Sequence, residues 1–148
     1  MTHKGPKARG AATVQRSFRL QQRTLELLGE RASETAESRN ALAERLLEEG
    51  VRTDRHPLIS FRQGASGRRR PALGGTRLDV GQVIATVRGE GGDIAAAAEY
   101  LSMPARMIQA AVNYYADFTE EVDELQIVEH AYADSERRRW KRAQQVLG

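Results

Sequence analysis

The stretch Thr13-Val14-Gln15-Arg16-Ser17-Phe18-Arg19-Leu20 places Val14, Phe18 and Leu20 at even positions and Gln15, Ser17 and Arg19 at odd ones. Successive side chains of a strand point to opposite faces, so the pattern predicts one short, half-buried strand, with Arg16 the exception on its apolar side. No second strand pattern follows nearby. The backbone of 13–20 therefore needs a hydrogen-bonding partner from another chain or from a distant segment. Downstream, Leu25, Leu28 and Ala32, with Leu27 beside them, predict a helix over roughly 21–34. After a turn at 35–37, Ser38 is placed to cap a second helix whose face carries Leu42, Leu46 and Leu47 and which Gly50 is placed to stop. One strand and two short helices bury too little apolar surface to fold alone, so this segment calls for dimerisation.

The residues Arg16-Ser17-Phe18-Arg19-Leu20, then Leu25 and Leu28, then Ser38-Arg39-Asn40-Ala41-Leu42 and Leu47 resemble the ribbon-helix-helix repressors of the Arc, MetJ and CopG type. The resemblance implies that two chains pair their strands into a ribbon that enters the major groove of DNA. On this sequence the base readers would be Gln15, Ser17 and Arg19. Arginine can bridge guanine O6 and N7, glutamine can pair with adenine, and serine is permissive. It further implies a DNA phosphate seated on the amides at the start of the second helix, here Ser38, Arg39 and Asn40. Many relatives carry an acid or proline just after the strand, where this chain has Gln21-Gln22.

Past a short connection at 54–57, Leu58, Ile59 and Phe61 predict a strand, broken by the turn-rich Gln63-Gly64-Ala65-Ser66-Gly67 and followed by the basic run Arg68-Arg69-Arg70 of a hairpin. Val80, Val83, Ile84 and Val87 then recur at helical spacing until Gly89, Gly91 and Gly92. Asp93 is placed to cap the next helix, through Ile94, Ala97, Ala98 and Leu101. Ser102-Met103-Pro104 breaks it, and Met107, Ile108, Ala111, Val112 and Tyr115 line a further helix over 104–118. Two helices joined by so tight a turn resemble a helix-turn-helix. The second of them offers only Arg106 as a cation, which argues for a core role over DNA reading. Arg68, Arg69 and Arg70 have two readings, a phosphate-touching wing or ordinary hairpin residues. Arg77 reads as structural, tying strands through carbonyls or through a carboxylate such as Asp79.

The run from Arg70 to Val80, containing Gly75-Thr76-Arg77, with the helices up to Tyr115-Ala116, is similar to domain-of-unknown-function family 433. That resemblance implies a small winged-helix-like fold and a VapB-like antitoxin encoded beside a nuclease toxin of the PIN type.

From Thr119 onward Val122, Leu125, Val128, Tyr132 and Trp140 recur near helical spacing without glycine or proline before Gly148. A long helix is expected. Tyr132 and Trp140, with Arg138 and Arg142 nearby, form either a partner-binding segment or a stretch that packs back on the domain. Basic residues around Trp140 suit the acidic active site of a nuclease.

Composition bounds the rest. Aromatic residues make up 5% and hydrophobic ones 40%, so a core must come from Leu, Ala, Val and Ile in a mainly α fold. There is no cysteine, hence no disulfide frame and no Cys-ligated zinc. The net charge of +3 hides segregation: residues 1–57 carry +3, 58–89 carry +5, 90–136 carry −10 and 137–148 carry +5. Residues 1–23 hold six Lys or Arg and no acid, a phosphate-seeking start. His3, His56 and His130 lie far apart and read as surface residues, and the acidic run Glu120, Glu121, Asp123, Glu124 reads as a solvated helix face. No catalytic constellation, metal site or cofactor motif emerges, and no segment has the apolar length of a membrane span.

The expected organisation is a disordered basic arm at 1–12, a ribbon-helix-helix module at 13–53, a winged-helix-like domain with a β-hairpin at 54–118 and a C-terminal helix at 119–148. The expected function is that of a cytoplasmic, non-enzymatic antitoxin. It would be a homodimer or higher even oligomer that binds double-stranded operator DNA, represses its own promoter and neutralises a PIN-type toxin. The alternative is a stand-alone repressor without a toxin.

Overall fold

A computed structural model describes residues 12–148, so most of the expected basic arm, and His3 with it, lie outside the described residues. The chain divides into two compact units, one ending at Ala43 and one running from Glu44 to Gly148. Among the described residues there are six helices and one two-stranded antiparallel sheet, a mainly α protein.

In the first unit, residues 12–20 have no regular secondary structure, and all of them are exposed. The expected strand is therefore absent from the single chain. Its physical reason is the one the pattern announced: among the described residues no backbone hydrogen bond reaches 12–20, and an unpaired strand has nothing to hold it. Helix α1 (Gln22–Thr35) ends at Ala36, whose φ of 55° turns the chain back through bonds to the Ala32 carbonyl. Ser38 opens α2 (Arg39–Arg55) as expected: its Oγ accepts the Ala41 amide at 3.1 Å. Ala32 and Leu42 are buried.

Gly50 does not stop α2, which continues to Arg55. A glycine inside a helix costs only about 1 kcal/mol relative to alanine. The last turns recover that through Arg52, which pairs with Glu48 one turn back at 2.8 Å and with partners far along the chain.

The second unit is built around the hairpin β1 (Ile59–Gln63) and β2 (Arg69–Leu73), in the register Ile59↔Leu73, Phe61↔Pro71, Gln63↔Arg69. Gly67, at φ 85°, supplies the left-handed residue of the turn, and the Gly64 amide donates to the Arg68 carbonyl at 2.7 Å. Asp79 and Gln82 form a reciprocal capping box at the start of α3 (Val80–Gly89): the Gln82 amide donates to Asp79 Oδ1 at 2.8 Å and the Asp79 amide to Gln82 Oε1 at 3.1 Å. Asp93 caps α4 (Ile94–Leu101) through the Ala96 amide at 3.1 Å. Ser102, left-handed at φ 53°, turns the chain into α5 (Ala105–Asp117), and α6 (Thr119–Leu147) follows at once. Ile59, Leu73, Val80, Val83, Ile84, Ala97, Ile108, Ala111, Tyr114 and Val122 form one apolar core in which α3 is central. Helix α6 crosses α3 closely at Gly81, where a β-carbon would overlap the Gln126 side chain.

Candidate nucleic-acid and partner surfaces

The first candidate surface is the N-terminal segment. Val14 is 69% and Phe18 73% exposed, and Leu20, Leu25 and Leu27 are about half exposed, an apolar set left largely uncovered among the described residues. Gln15, Ser17 and Arg19 are also exposed. Ser38 stands at the N-terminus of α2, where first-turn amides carry the positive end of the helix dipole. Arg39 and Asn40 are exposed there, but the Arg39 guanidinium lies across α1 at Gly29, about 3.1 Å from where a β-carbon would stand.

The basic run leading into β2 does not present three cations side by side. Arg69 makes a two-pronged pair with Glu49, at 2.7 and 3.0 Å, and also donates to the Phe61 carbonyl at 3.2 Å. Arg70 is largely buried, hydrogen-bonded to Asp79 and 3.4 Å from Glu129. Only Arg68 keeps an exposed guanidinium without a partner among the described residues. The tie to Asp79 expected of Arg77 is made by Arg70, and Arg77 contributes its carbonyl to Arg62. Asp79 thus serves the α3 cap with one oxygen and Arg70 with the other, while Glu129, at the middle of α6, accepts from Ser66 as well.

The acidic run at the start of α6 is not uniformly solvated. Glu121 holds Arg52 with both oxygens, at 2.6 and 3.1 Å, and Asp123 accepts the Tyr115 hydroxyl at 2.9 Å. Arg52 is the hub of this side of the unit. It donates to the Tyr114 hydroxyl at 3.1 Å and lies 4.0 Å over the Phe118 ring. Hydrogen bonding to Glu121 holds the Arg52 guanidinium above its ordinary pKa, and burial pushes the Tyr114 hydroxyl up. His56 is not a surface residue: it is mostly buried, its Nε2 lies 2.9 Å from Asp117 Oδ2, and its ring stands edge-on to Tyr114 at 5.2 Å. Arg52 lies more than 60 positions from Tyr114 and Glu121, as His56 does from Asp117, so no local spacing could reveal those contacts. His130 is exposed.

On α6, Tyr132 is exposed and Trp140 is 62% exposed, so Trp140 does not pack back on the domain. At 3.6 residues per turn, Tyr132 and Trp140 lie about a quarter-turn apart, whereas Arg138 and Arg142 lie nearly opposite Trp140. The four expected partner-binding residues therefore occupy two faces. On α5 the exposed side chains include Arg106, Gln109 and Asn113, the last two hydrogen-bonded to each other at 2.9 Å. Among the described residues no cluster of three or more His, Asp or Glu could hold a metal, and no helix is long and apolar enough to cross a membrane. No family model, curated protein or solved structure matches this chain.

Proposed function

We propose that the protein is a dimeric, DNA-binding antitoxin that represses its own promoter and captures a nuclease toxin through its C-terminal helix. One observation carries the DNA-binding part. Residues 13–20 alternate apolar and polar side chains, their apolar members are exposed, and their backbone has no partner among the described residues, directly before two helices whose second is capped by Ser38. Pairing with the same stretch of a second copy satisfies that backbone and covers Val14, Phe18 and Leu20 together. It leaves Gln15, Ser17 and Arg19 of both chains on one outer face, suited to the major groove.

The second unit, with its hairpin followed by α3, α4 and α5, is compatible with a winged-helix-like body, and among the described residues its hairpin retains a single unpaired arginine, Arg68. Its role here is to carry α6 and not to bind DNA. Tyr132 and Trp140 are the anchors for a toxin, since an exposed aromatic side chain on a helix brings large contact area at low entropic cost.

The test is fluorescence anisotropy with a duplex taken from the promoter of the protein's own gene, measured across a salt series. Binding is expected to weaken steeply with salt. Arg19→Ala is expected to cost about 1–3 kcal/mol on that duplex and to leave non-specific binding little changed. Equal loss on all duplexes, or no loss, removes the groove-reading role. Co-purification with the product of the neighbouring gene, lost on Trp140→Ala, tests the toxin partner.

A further inference from the structure

Helix α6 carries charges that no other described residue answers. Glu121 pairs with Arg52, Asp123 with Tyr115, Asp134 with Arg137 at 3.1 Å and Glu136 with Arg139 at 3.2 Å. Glu120, Glu124, Arg138, Lys141 and Arg142 are exposed and form no ion pair or side-chain hydrogen bond among the described residues.

Four of these five leftover groups, all but Lys141, are not scattered. Glu120, Glu124, Ile127, Ala131, Arg138 and Arg142 follow at intervals of four, three, four, seven and four residues. At 3.6 residues per turn those intervals keep them on one stripe, on the side of the helix away from the buried Val122 and Glu129. Along it the character runs from acidic through apolar to basic, with Ile127 70% exposed at the middle. The order is also symmetric: Glu124 and Arg138 each stand seven residues from Ala131, and Glu120 and Arg142 each stand eleven, about 16 Å along the axis.

We infer that this outward stripe is a second self-association surface, on which α6 of one chain lies antiparallel to α6 of a second copy about a twofold axis at Ala131. Each chain's Glu124 then meets the partner's Arg138 and its Glu120 the partner's Arg142, which makes four ion pairs from two unpaired sets. Ile127 packs beside the twofold axis against the partner's Ser135, each four residues from Ala131, and the small Ala131 lets the helices approach. A parallel arrangement places acid on acid and base on base, so the charge order itself selects the antiparallel one. The occupant is a second copy because the stripe is complementary to its own reversal. Arg138 and Arg142 thereby face a sister chain, while Trp140, on the opposite side, stays open to another partner. The surface lies wholly on α6 and does not depend on the proposed ribbon at 13–20.

The test uses the full-length chain carrying Phe18→Asp, which removes the proposed ribbon, so that sedimentation velocity at low salt reads association through α6. Glu124→Arg and Arg138→Glu are each expected to raise the dissociation constant about tenfold, since each turns two attractive pairs into repulsive ones. Combined in one chain they recreate the pairs in reverse and are expected to restore association to within about threefold. Ala131→Cys, in a chain without native cysteine, is expected to form an intermolecular disulfide under mild oxidation, and Glu120→Cys is not. Helical circular dichroism checks that the variants are folded, as these positions are exposed. A chain monomeric at all concentrations, a double reversal no better than the singles, or equal cross-linking at 120 and 131 would overturn the inference.

Discussion

Arg70 stands opposite Arg62 in the hairpin register, a like-charge pairing that is unfavourable across a sheet unless both charges are answered. Arg70 is answered by Asp79 and Glu129, and Arg62 by the Arg77 carbonyl. Because Asp79 and Glu129 are themselves buried, Arg70→Ala leaves two carboxylates in the interior without their cation. It is expected to lower stability by about 3–5 kcal/mol, read by urea unfolding. Replacing Asp79 costs the α3 cap as well. A second residue-scale expectation concerns alkaline pH. Burial raises the folded-state pKa of Tyr114, and burial together with the hydrogen bond to Asp123 raises that of Tyr115, both above the ordinary value of 10.0. Between that value and the raised one the folded chain holds more protons than the unfolded chain, so stability is complete below pH 10 and falls as pH rises above it. Tyr114→Phe is expected to flatten this fall in part, with Tyr115 retaining the remainder, measured as melting temperature from pH 8 to 11.

Two glycines in helices act in opposite ways at the scale of the element. At Gly50 a β-carbon would meet nothing within 4 Å, whereas at Gly81 it would overlap Gln126 of the crossing α6. Gly50→Ala is therefore expected to stabilise the chain by about 1 kcal/mol through helix propensity alone. Gly81→Ala is expected to destabilise it, because Gln126 must be displaced before α6 can seat on α3. A pair of thermal melts checks both signs. The contrast also explains why α2 ran past its apparent stop: Arg52 is anchored by Glu121 and Tyr114, and a single exposed glycine cannot outweigh those contacts.

For the whole molecule, the described surface is asymmetric in use. Residues 137–148 are all exposed and add nothing to the apolar core. Truncation after Glu136 is expected to leave the melting temperature within about 2 °C. It is also expected to abolish the proposed toxin capture and the proposed pairing of α6 helices, assayed by co-purification and by sedimentation. A large loss of stability on truncation would mean that the end of α6 is needed for folding.

Much of the helical architecture was legible in the chain. Ser38 and Asp93 sit where caps form, and glycine runs and Pro104 punctuate the helices, because such signals depend on neighbours a few residues away, whereas the Asp79 cap of α3 was not read from the sequence. The hairpin at 59–73 could be read in the same way. The basic run could not be apportioned, since whether an arginine faces solvent or a buried carboxylate depends on Glu49, Asp79 and Glu129, brought to it by folding. The Arg52 hub and the His56–Asp117 contact were hidden for the same reason, their partners being more than 60 positions away. Local pattern, then, determined where most helices begin and where turns fall. Tertiary structure alone decided which charges are spent inside the chain and which are left outside, because ion pairing is set by distance in space and not by order along the backbone.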